Sequence, residues 1–449
     1  MTYGLFYSPG ECGGDKVAML PAAWARVTEE GLLTGDRARR RLLAAGLAWL
    51  IALAAVAPII AANLTTLPLF RMVDLAVYRD GGRTILDGGQ LYSMRTGGGL
   101  LFTYPPAAAV LAVPLALLAW QAAQWLWLGA VYIPLVVVLR YAFAPLLDRS
   151  RGYAGAVFAG LFACCAWLVP IRQEIHYGQV DILLVSLCVL DCSTRRPRWP
   201  RGALIGLATA IKLVPGVFIV YLLVTGRRKA AAAAALTFAA VSGLAWVISP
   251  ADSDRYWSGA LFDPRRLGPN LPTANQSLRG MILRIFYPAA GPAWVWLATA
   301  GIVAIAGFAA ARAVQRRGQE IAGIAITGML AALLSPVAWF HHLCWVVPAL
   351  GVITGDGRSR RRLLAAVATA GLFAWSVPNW GKELFLAHAV PVLLGRVLED
   401  AFGLAALALI VVMLRIPAPA TPDLAPGRAE PGRSGPAAED LSPAGIRDG

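Results

Sequence analysis

Apolar residues run in blocks separated by short polar stretches from about position 43 to about 415. Blocks of about 18–20 residues fit a helix crossing the ~30 Å hydrocarbon core of a bilayer. Barrel strands are only about ten residues long and alternate in polarity, which these blocks do not. The pattern predicts helical segments at roughly 43–62, 105–119, 121–141, 153–170, 179–193, 230–249, 291–313, 320–337, 363–378 and 391–414. The stretch 203–225 is also apolar, but Lys212 and Pro215 interrupt it and basic residues flank both ends. A hairpin of two half-helices broken at Pro215 keeps both flanks on one side, which a single span cannot do. Broken helices at membrane depth line cavities. One of the two segments between Phe102 and Arg140 must be short or re-entrant to preserve the alternation of sides. The expected fold is an all-α polytopic membrane protein with about 11–13 membrane segments and outer re-entrant or juxtamembrane loops.

The polar interruptions are of two kinds. One kind is basic and plain: Arg37 to Arg41, Arg195 to Arg201, Arg227 to Lys229, Arg316 with Arg317, and Arg358 to Arg362. These follow the positive-inside pattern of cytoplasmic loops. The other kind carries varied chemistry: Arg71 to Tyr92 with three aspartates, Pro170 to Asp181, Pro272 to Gly280, and Ser335 to His342. Alternation puts this second kind outside. In the first of these stretches Gly81-Gly82 and Gly88-Gly89 act as punctuation, with a short helix over Arg83 to Asp87 ended by Gly88. Residues 1–42 are expected to form a cytoplasmic arm, 43–415 one transmembrane domain, and 416–449 a disordered cytoplasmic tail rich in Pro, Ala, Gly and charge. The polar run before the first apolar block argues against a cleavable signal.

Composition agrees. Of 449 residues, 58% are hydrophobic and 14% charged, and mean hydropathy is +0.62. A soluble protein could not hide that much apolar surface. The net charge of +15 would suit nucleic acid if it formed a patch, but it is spread over short loops. Six cysteines form no framework, and those in apolar segments behave as small hydrophobes.

Among single residues, Asp74 is the candidate reactive carboxylate, or the cap of the helix that follows it. Asp80 and Asp87 sit beside glycines and read as turn residues. Lys212 is an ionisable residue inside an apolar run, which points to function unless it snorkels to an interface. His341 and His342 follow Trp339 at a helix break. Adjacent histidines on a helix point about 100° apart, so one is expected in a site and one in packing. Asp252 and Asp254 form a short, common pattern with little metal specificity, and no metal is expected. Asn275, Gln276 and Arg279 suit contact with sugar or phosphate, as do His176 and Gln179; Tyr104, Trp339 and Trp257 could stack on sugars.

Taken in order, several stretches together resemble the actinobacterial membrane glycosyltransferases of family 87. They are Asp74 to Tyr78, Asp87 to Tyr92, Phe102 to Pro106, Gly178-Gln179, Gly206 to Pro215, Asn275 to Leu278, and Ser335 to His342. The resemblance spans roughly residues 43–415. It implies the GT-C architecture, a catalytic aspartate in the first outer loop at the position of Asp74, and a polyprenyl-phosphate sugar donor rather than a nucleotide sugar. The family includes polyprenyl-phosphomannose-dependent α-1,2-mannosyltransferases of lipoglycan assembly, and also arabinofuranosyltransferases. Its pattern often has asparagine where this chain has Asp181, which leaves the role of Asp181 open.

The chemistry fits. A sugar on a lipid phosphate already carries a good leaving group. The enzyme must then supply a base for the acceptor hydroxyl and cations for the developing phosphate charge. Asp74 is the candidate base; Lys212, Arg279 and a histidine of the pair are candidate phosphate partners. A single displacement inverts the anomeric centre. The expected reaction moves mannose from the lipid donor to a glycolipid or lipoglycan hydroxyl, outside the plasma membrane, without a cofactor. The alternatives are arabinofuranosyl transfer and a lipid-linked sugar transporter or flippase. A transporter should show paired repeats and midplane polar residues.

Overall fold

The computed structural model describes residues 20–65, 71–263, 266, 268, 271–289 and 291–417, with first-helix side chains from 38 to 63. Residues 1–19 of the expected N-terminal arm and nearly all of the expected tail lie outside these residues. The first helix, Leu20–Thr65, begins well before the predicted span at 43. Among the described residues there is no strand, only one isolated bridge between Arg95 and Leu101.

Among the described residues, four helices are long and apolar enough to cross a membrane: Ala38–Asn63, Trp120–Ala142, Arg228–Ile248 and Ala293–Arg316. Half of the apolar window of Trp120–Ala142 is buried inside the protein (50%), against 17%, 17% and 11% for the others. It is therefore the central span, while the others turn apolar faces outward, such as Leu47, Leu236 and Ile302. Three further pairs pass the same test but bend sharply: Ala144–Ala166 with Val169–Tyr177 (69°), Arg360–Ala374 with Val377–Leu386 (59°), and Val392–Glu399 with Ala401–Arg415 (66°). Pro170 and Pro378 sit at the starts of two of the second halves, where a missing N–H costs nothing. Shorter apolar helices cover Val214–Val224, Glu320–Leu334 and Phe340–Thr354. This is a polytopic all-α membrane protein, as expected, and several of its segments are short or broken.

The predicted 105–119 segment is one of these. It is two short helices, Pro106–Leu111 and Val113–Ala116. The stretch 203–225 is broken as expected, but earlier than Pro215. Ala203–Ile211 ends at Lys212, whose backbone is extended (φ −149°, ψ 128°), and Val217–Val224 resumes after one tight turn.

The basic loops gather at one end. Arg227 pairs with Glu320 (2.7 Å), Arg149 donates to Asp356 O (3.1 Å), Arg317 to Leu414 O (2.9 Å) and Arg201 to Thr194 O (2.8 Å). Helix Asp181–Ser193 starts at Lys212 and ends where Asp191 accepts from Trp199 and Gly202. At ~1.5 Å per residue it separates those two points by about 15 Å. Helix Glu320–Leu334 likewise runs from the Arg227 pair to the Ser335–Trp339 stretch. The chemically varied loops therefore meet at the other end.

The Asp74 stretch is a continuous helix, Val73–Leu86, rather than a loop with a short helix at Arg83. Gly81 and Gly82 lie inside it, because side chains there would collide with the Phe102 ring (2.7 Å) and the Ala112 carbonyl (2.7 Å). Packing against the following segment outweighs the ~1 kcal/mol helix penalty of each glycine. Gly88, at φ +65°, follows the helix end as predicted.

Candidate functional site

At the end remote from the basic loops lies a cavity of about 580 Å³. Asp74, Tyr104, Gln179, Lys212, His341 and His342 all line it. Its two walls are built differently.

The first wall is the start of the Asp74 helix. Met72 adopts a left-handed conformation (φ 47°) and its N–H donates to His176 O (3.0 Å), tying this helix to the end of Val169–Tyr177. Gly178 (φ +72°) then lets the chain pass against Leu75; a Cβ there would sit 2.6 Å from Leu75 Cβ. This close crossing sets Gln179 beside Asp74. Asp74 is in the first helical turn but is not the cap, since the N-cap is Met72 and no side chain caps it. One turn further on, Tyr78 donates to Gln179 Oε1 (3.3 Å), and Trp127 Nε1 donates to Gln179 O (3.1 Å). The Tyr78 ring packs on Tyr104 (4.7 Å) and Trp127 (5.6 Å). Asp74 is thus walled by aromatics yet open to the cavity. Burial raises its carboxyl to about 6, partly offset by the Gln179 hydrogen bond and the Lys212 charge, with Asp181 adding a smaller upward push. A carboxylate at that value is a competent base near neutral pH.

The second wall centres on Lys212. The helix break turns its side chain toward Asp181, and Nζ reaches both carboxylate oxygens (2.8 and 2.9 Å). Nζ also lies 3.1 Å from His342 Nε2 and 5.8 Å from the Tyr104 ring centroid. His342 Nδ1 accepts the Trp339 N–H (3.1 Å), so the neutral ring carries its proton on Nε2, facing the lysine. His341 is 3% exposed, and neither ring nitrogen has a hydrogen-bond partner. Both histidines reach the cavity, against the expectation of one in the site and one in packing. His342 folds back onto the Trp339 N–H, which brings the two rings to 4.6 Å. Asp181, His341 and His342 offer donor atoms within 4.8 Å of one another. They suit a metal ion poorly, because the ammonium holds both carboxylate oxygens and His342 presents N–H rather than a lone pair.

The other expected site residues lie elsewhere. Asn275 is fully buried, and its Oδ1 accepts from Ser277 N (3.2 Å) and Ala338 N (2.9 Å). Gln276 donates to Thr273 O (2.6 Å) and Glu399 O (2.9 Å) and accepts from Gly403 N (2.9 Å). Together with a bond from Gln276 N to Ala338 O (2.7 Å), this motif clamps the Ser335–Trp339 segment that carries the histidines. Arg279 lies over the Trp296 ring (5.2 Å), and exposed His176 packs against Tyr177 (4.7 Å); neither lines the cavity. Asp252 accepts from Leu91 N (2.9 Å) and Ser249 Oγ (2.8 Å) as a loop anchor. Trp257 packs on Tyr256 (4.9 Å), whereas Trp339 does line the cavity.

Asp181 was the main residue whose role the sequence left open. An intramembrane lysine calls for a partner, and Asp181, at the mouth of an apolar segment, was the available carboxylate. Arg266, also on the cavity wall, gave no sequence signal; it donates to Tyr92 O (2.9 Å) and Phe102 O (3.0 Å).

The sequence profile of glycosyltransferase family 87 matches residues 102–336, a range that starts after Asp74 and stops before His341. A Mycobacterium tuberculosis protein named polyprenol-phosphate-mannose-dependent alpha-(1-2)-phosphatidylinositol mannoside mannosyltransferase is 33% identical over 333 residues, covering 68% of this chain and 76% of that protein. A Mycolicibacterium smegmatis protein with the same name is 32% identical, covering 67% and 74%. A second Mycolicibacterium smegmatis protein, named for a phosphatidylinositol pentamannoside acceptor, is 35% identical over 284 residues, covering 62% and 68%. No solved structure matches the chain significantly.

Proposed function

The chain belongs to glycosyltransferase family 87, and from that premise we propose that it transfers mannose from a polyprenyl-phosphate donor to a hydroxyl of a phosphatidylinositol-type glycolipid. Asp74 takes the proton of the acceptor hydroxyl. The oxygen attacks the anomeric carbon as the bond to the lipid phosphate breaks, so the configuration inverts and a β-linked donor gives an α-linked product. Lys212 and His342 Nε2–H receive the charge that builds on the departing phosphate.

One observation carries this reading: a single cavity joins a carboxylate poised near 6 to two converging N–H donors. The Lys212 ammonium and the His342 imidazole approach to 3.1 Å on the cavity wall, and a phosphate oxygen placed there can accept from both. The relatives' printed names favour mannose and a phosphatidylinositol mannoside. The gathering of basic loops at the opposite end favours an extracytoplasmic cavity.

Incubating purified protein with radiolabelled polyprenyl-phosphomannose and a phosphatidylinositol mannoside should put label into the acceptor through an α linkage. Label that moves only from the arabinose-charged lipid would replace the sugar assignment. Label that crosses vesicle membranes without entering any acceptor would overturn transfer altogether.

A further inference from the structure

A second cavity, of about 370 Å³, lies on the other side of the Val169–Tyr177 helix. That helix sends Gln173 and Tyr177 to the catalytic cavity and Arg172 to this one. Three tryptophans, Trp167, Trp375 and Trp380, are half of its lining residues, and all three remain partly exposed (38%, 61% and 46%).

Every element around this cavity belongs to a membrane-crossing candidate. Trp167 sits at the 69° bend of one broken span and Trp375 with Ser376 at the 59° bend of another. Trp167 Nε1 donates to Ala55 O (2.9 Å), in the half of Ala38–Asn63 that leads to the catalytic end. Partly exposed tryptophans at such a level mark the headgroup boundary, where an amphipathic ring is best placed.

The guanidinium of Arg172 is the charged group of this cavity. Some buried or half-buried cations in the bundle have a carboxylate, as Lys212 has Asp181, Arg227 has Glu320, Arg284 has Asp400 and Arg396 has Glu399, while others, such as Arg201 and Arg266, end on carbonyls. Arg172 has none among the described residues. It donates through Nη2 to Ala374 O (2.9 Å), its Nε is buried without a partner, and its charge lies over the Trp167 ring at 5.5 Å. A lone charge at membrane level is costly, so such residues pair. The fixed groups here supply one carbonyl and one aromatic face, but no anion.

We propose that this cavity binds the headgroup of an anionic phospholipid from the leaflet facing the catalytic end. The phosphodiester pairs with Arg172, and the tryptophans flank the headgroup and the first methylenes of the tails. The site is separate from donor and acceptor chemistry. Through the shared helix, its occupant also braces the Gln173 and Tyr177 wall of the catalytic cavity.

Native mass spectrometry of the detergent-solubilised protein, offered phosphatidylglycerol or phosphatidylcholine, tests the idea without donor, acceptor or transfer. Wild type should retain phosphatidylglycerol in preference to phosphatidylcholine. Arg172→Gln should weaken that retention about 10- to 150-fold, as loss of a charge-assisted contact implies, and Arg172→Lys should keep much of it. Equal retention of both lipids by wild type, or undiminished phosphatidylglycerol on a folded Arg172→Gln protein, overturns the proposal. Should Arg172→Gln not fold, Trp380→Ala removes part of the cage and leaves the guanidinium; unchanged retention there overturns it too. Because no sugar moves in this experiment, its failure leaves the mannosyl-transfer reading untouched, and a failed transfer assay leaves the lipid site untouched.

Discussion

The protein buries two ion networks of similar inaccessibility, and they are completed differently. Under the Pro272 loop, Arg284 (side chain 1% exposed) pairs with Asp400. It spends its remaining N–H groups on Leu271 O (3.3 Å), Pro272 O (3.0 Å) and Asn275 O (2.8 Å). Every arm of that guanidinium fork ends on an oxygen. At the cavity, Lys212 and Asp181 (10% and 12% exposed) also pair, but there the lysine meets an imidazole N–H and His341 has two idle nitrogens. A finished network in a protein interior holds a fold together. An unfinished one beside a cavity is waiting for the atoms of something else. Charge and burial alone do not separate the two; the count of unsatisfied donors does.

The largest expected effect lies across the cavity from the unfinished network. Asp74→Asn removes the proposed base and should lower transfer ~10²–10⁴-fold, leaving both ion networks intact. Folding should survive, because Met72 and not Asp74 occupies the cap position. The stability sign follows from linkage. A carboxyl raised by burial from 3.8 to about 6 costs the folded state stability as pH rises through that window, and the cost persists above it. The thermal midpoint of Asp74→Asn at pH 7.5 should therefore equal or exceed that of wild type. Wild-type transfer should fall about tenfold per pH unit below about 6, as the base is protonated. Near-normal transfer by the Asn variant would move the base elsewhere, with Asp181 next in line.

Arg284→Met tests the finished network. It leaves Asp400 and three carbonyls without their donor, and breaking a buried pair costs about 3–5 kcal/mol. The expected outcome is poor yield and a strongly lowered thermal midpoint, with unchanged transfer per folded molecule. A stable Arg284→Met protein with impaired transfer would erase the distinction between the two networks.

Lys212→Met makes the complementary cut. Asp181 stays close to the cavity wall that Lys212 lines, so the stability loss should be the smaller of the two. The Michaelis constant for the lipid donor should rise by about 10- to 150-fold, the ~1.5–3 kcal/mol of a charge-assisted contact. An unchanged constant would return Lys212 to a purely structural role.

The contrast also marks how far the sequence could be read. The helical membrane fold followed from block length, and the broken stretch around Lys212 from its two basic flanks, because both are local properties. Gly88 ended its helix for a local reason too. The Lys212–Asp181 pair joins residues 31 apart on different helices, and only their packing brings them together. The Asn275 motif looked like a sugar-binding loop because its amides are polar; tertiary structure uses them to hold Ala338 and Gly403. Glycines 81 and 82 read as a break because their propensity is local, whereas their use is contact with Phe102 and Ala112. Arg266 and Arg172 were invisible, since an arginine in a mixed loop carries no mark of which cavity it will face.

The smallest expected effect concerns Arg279, which the sequence placed among the phosphate partners. Its guanidinium lies over Trp296 at 5.2 Å and away from the cavity wall. Arg279→Ala therefore removes a partly exposed cation–π contact, worth ~0.5–1 kcal/mol. The thermal midpoint should drop slightly, while donor affinity and turnover stay within about twofold of wild type, as for other changes remote from a site. This sharpens the comparison of networks, because Arg279 is only five residues from Arg284 on one short helix. A charge next to the finished network, but belonging to neither, should matter to neither fold nor chemistry. A donor Michaelis constant raised as far as in Lys212→Met would mean that the loop from Pro272 to Gly280 closes onto the lipid phosphate. The open network would then extend to a third cation.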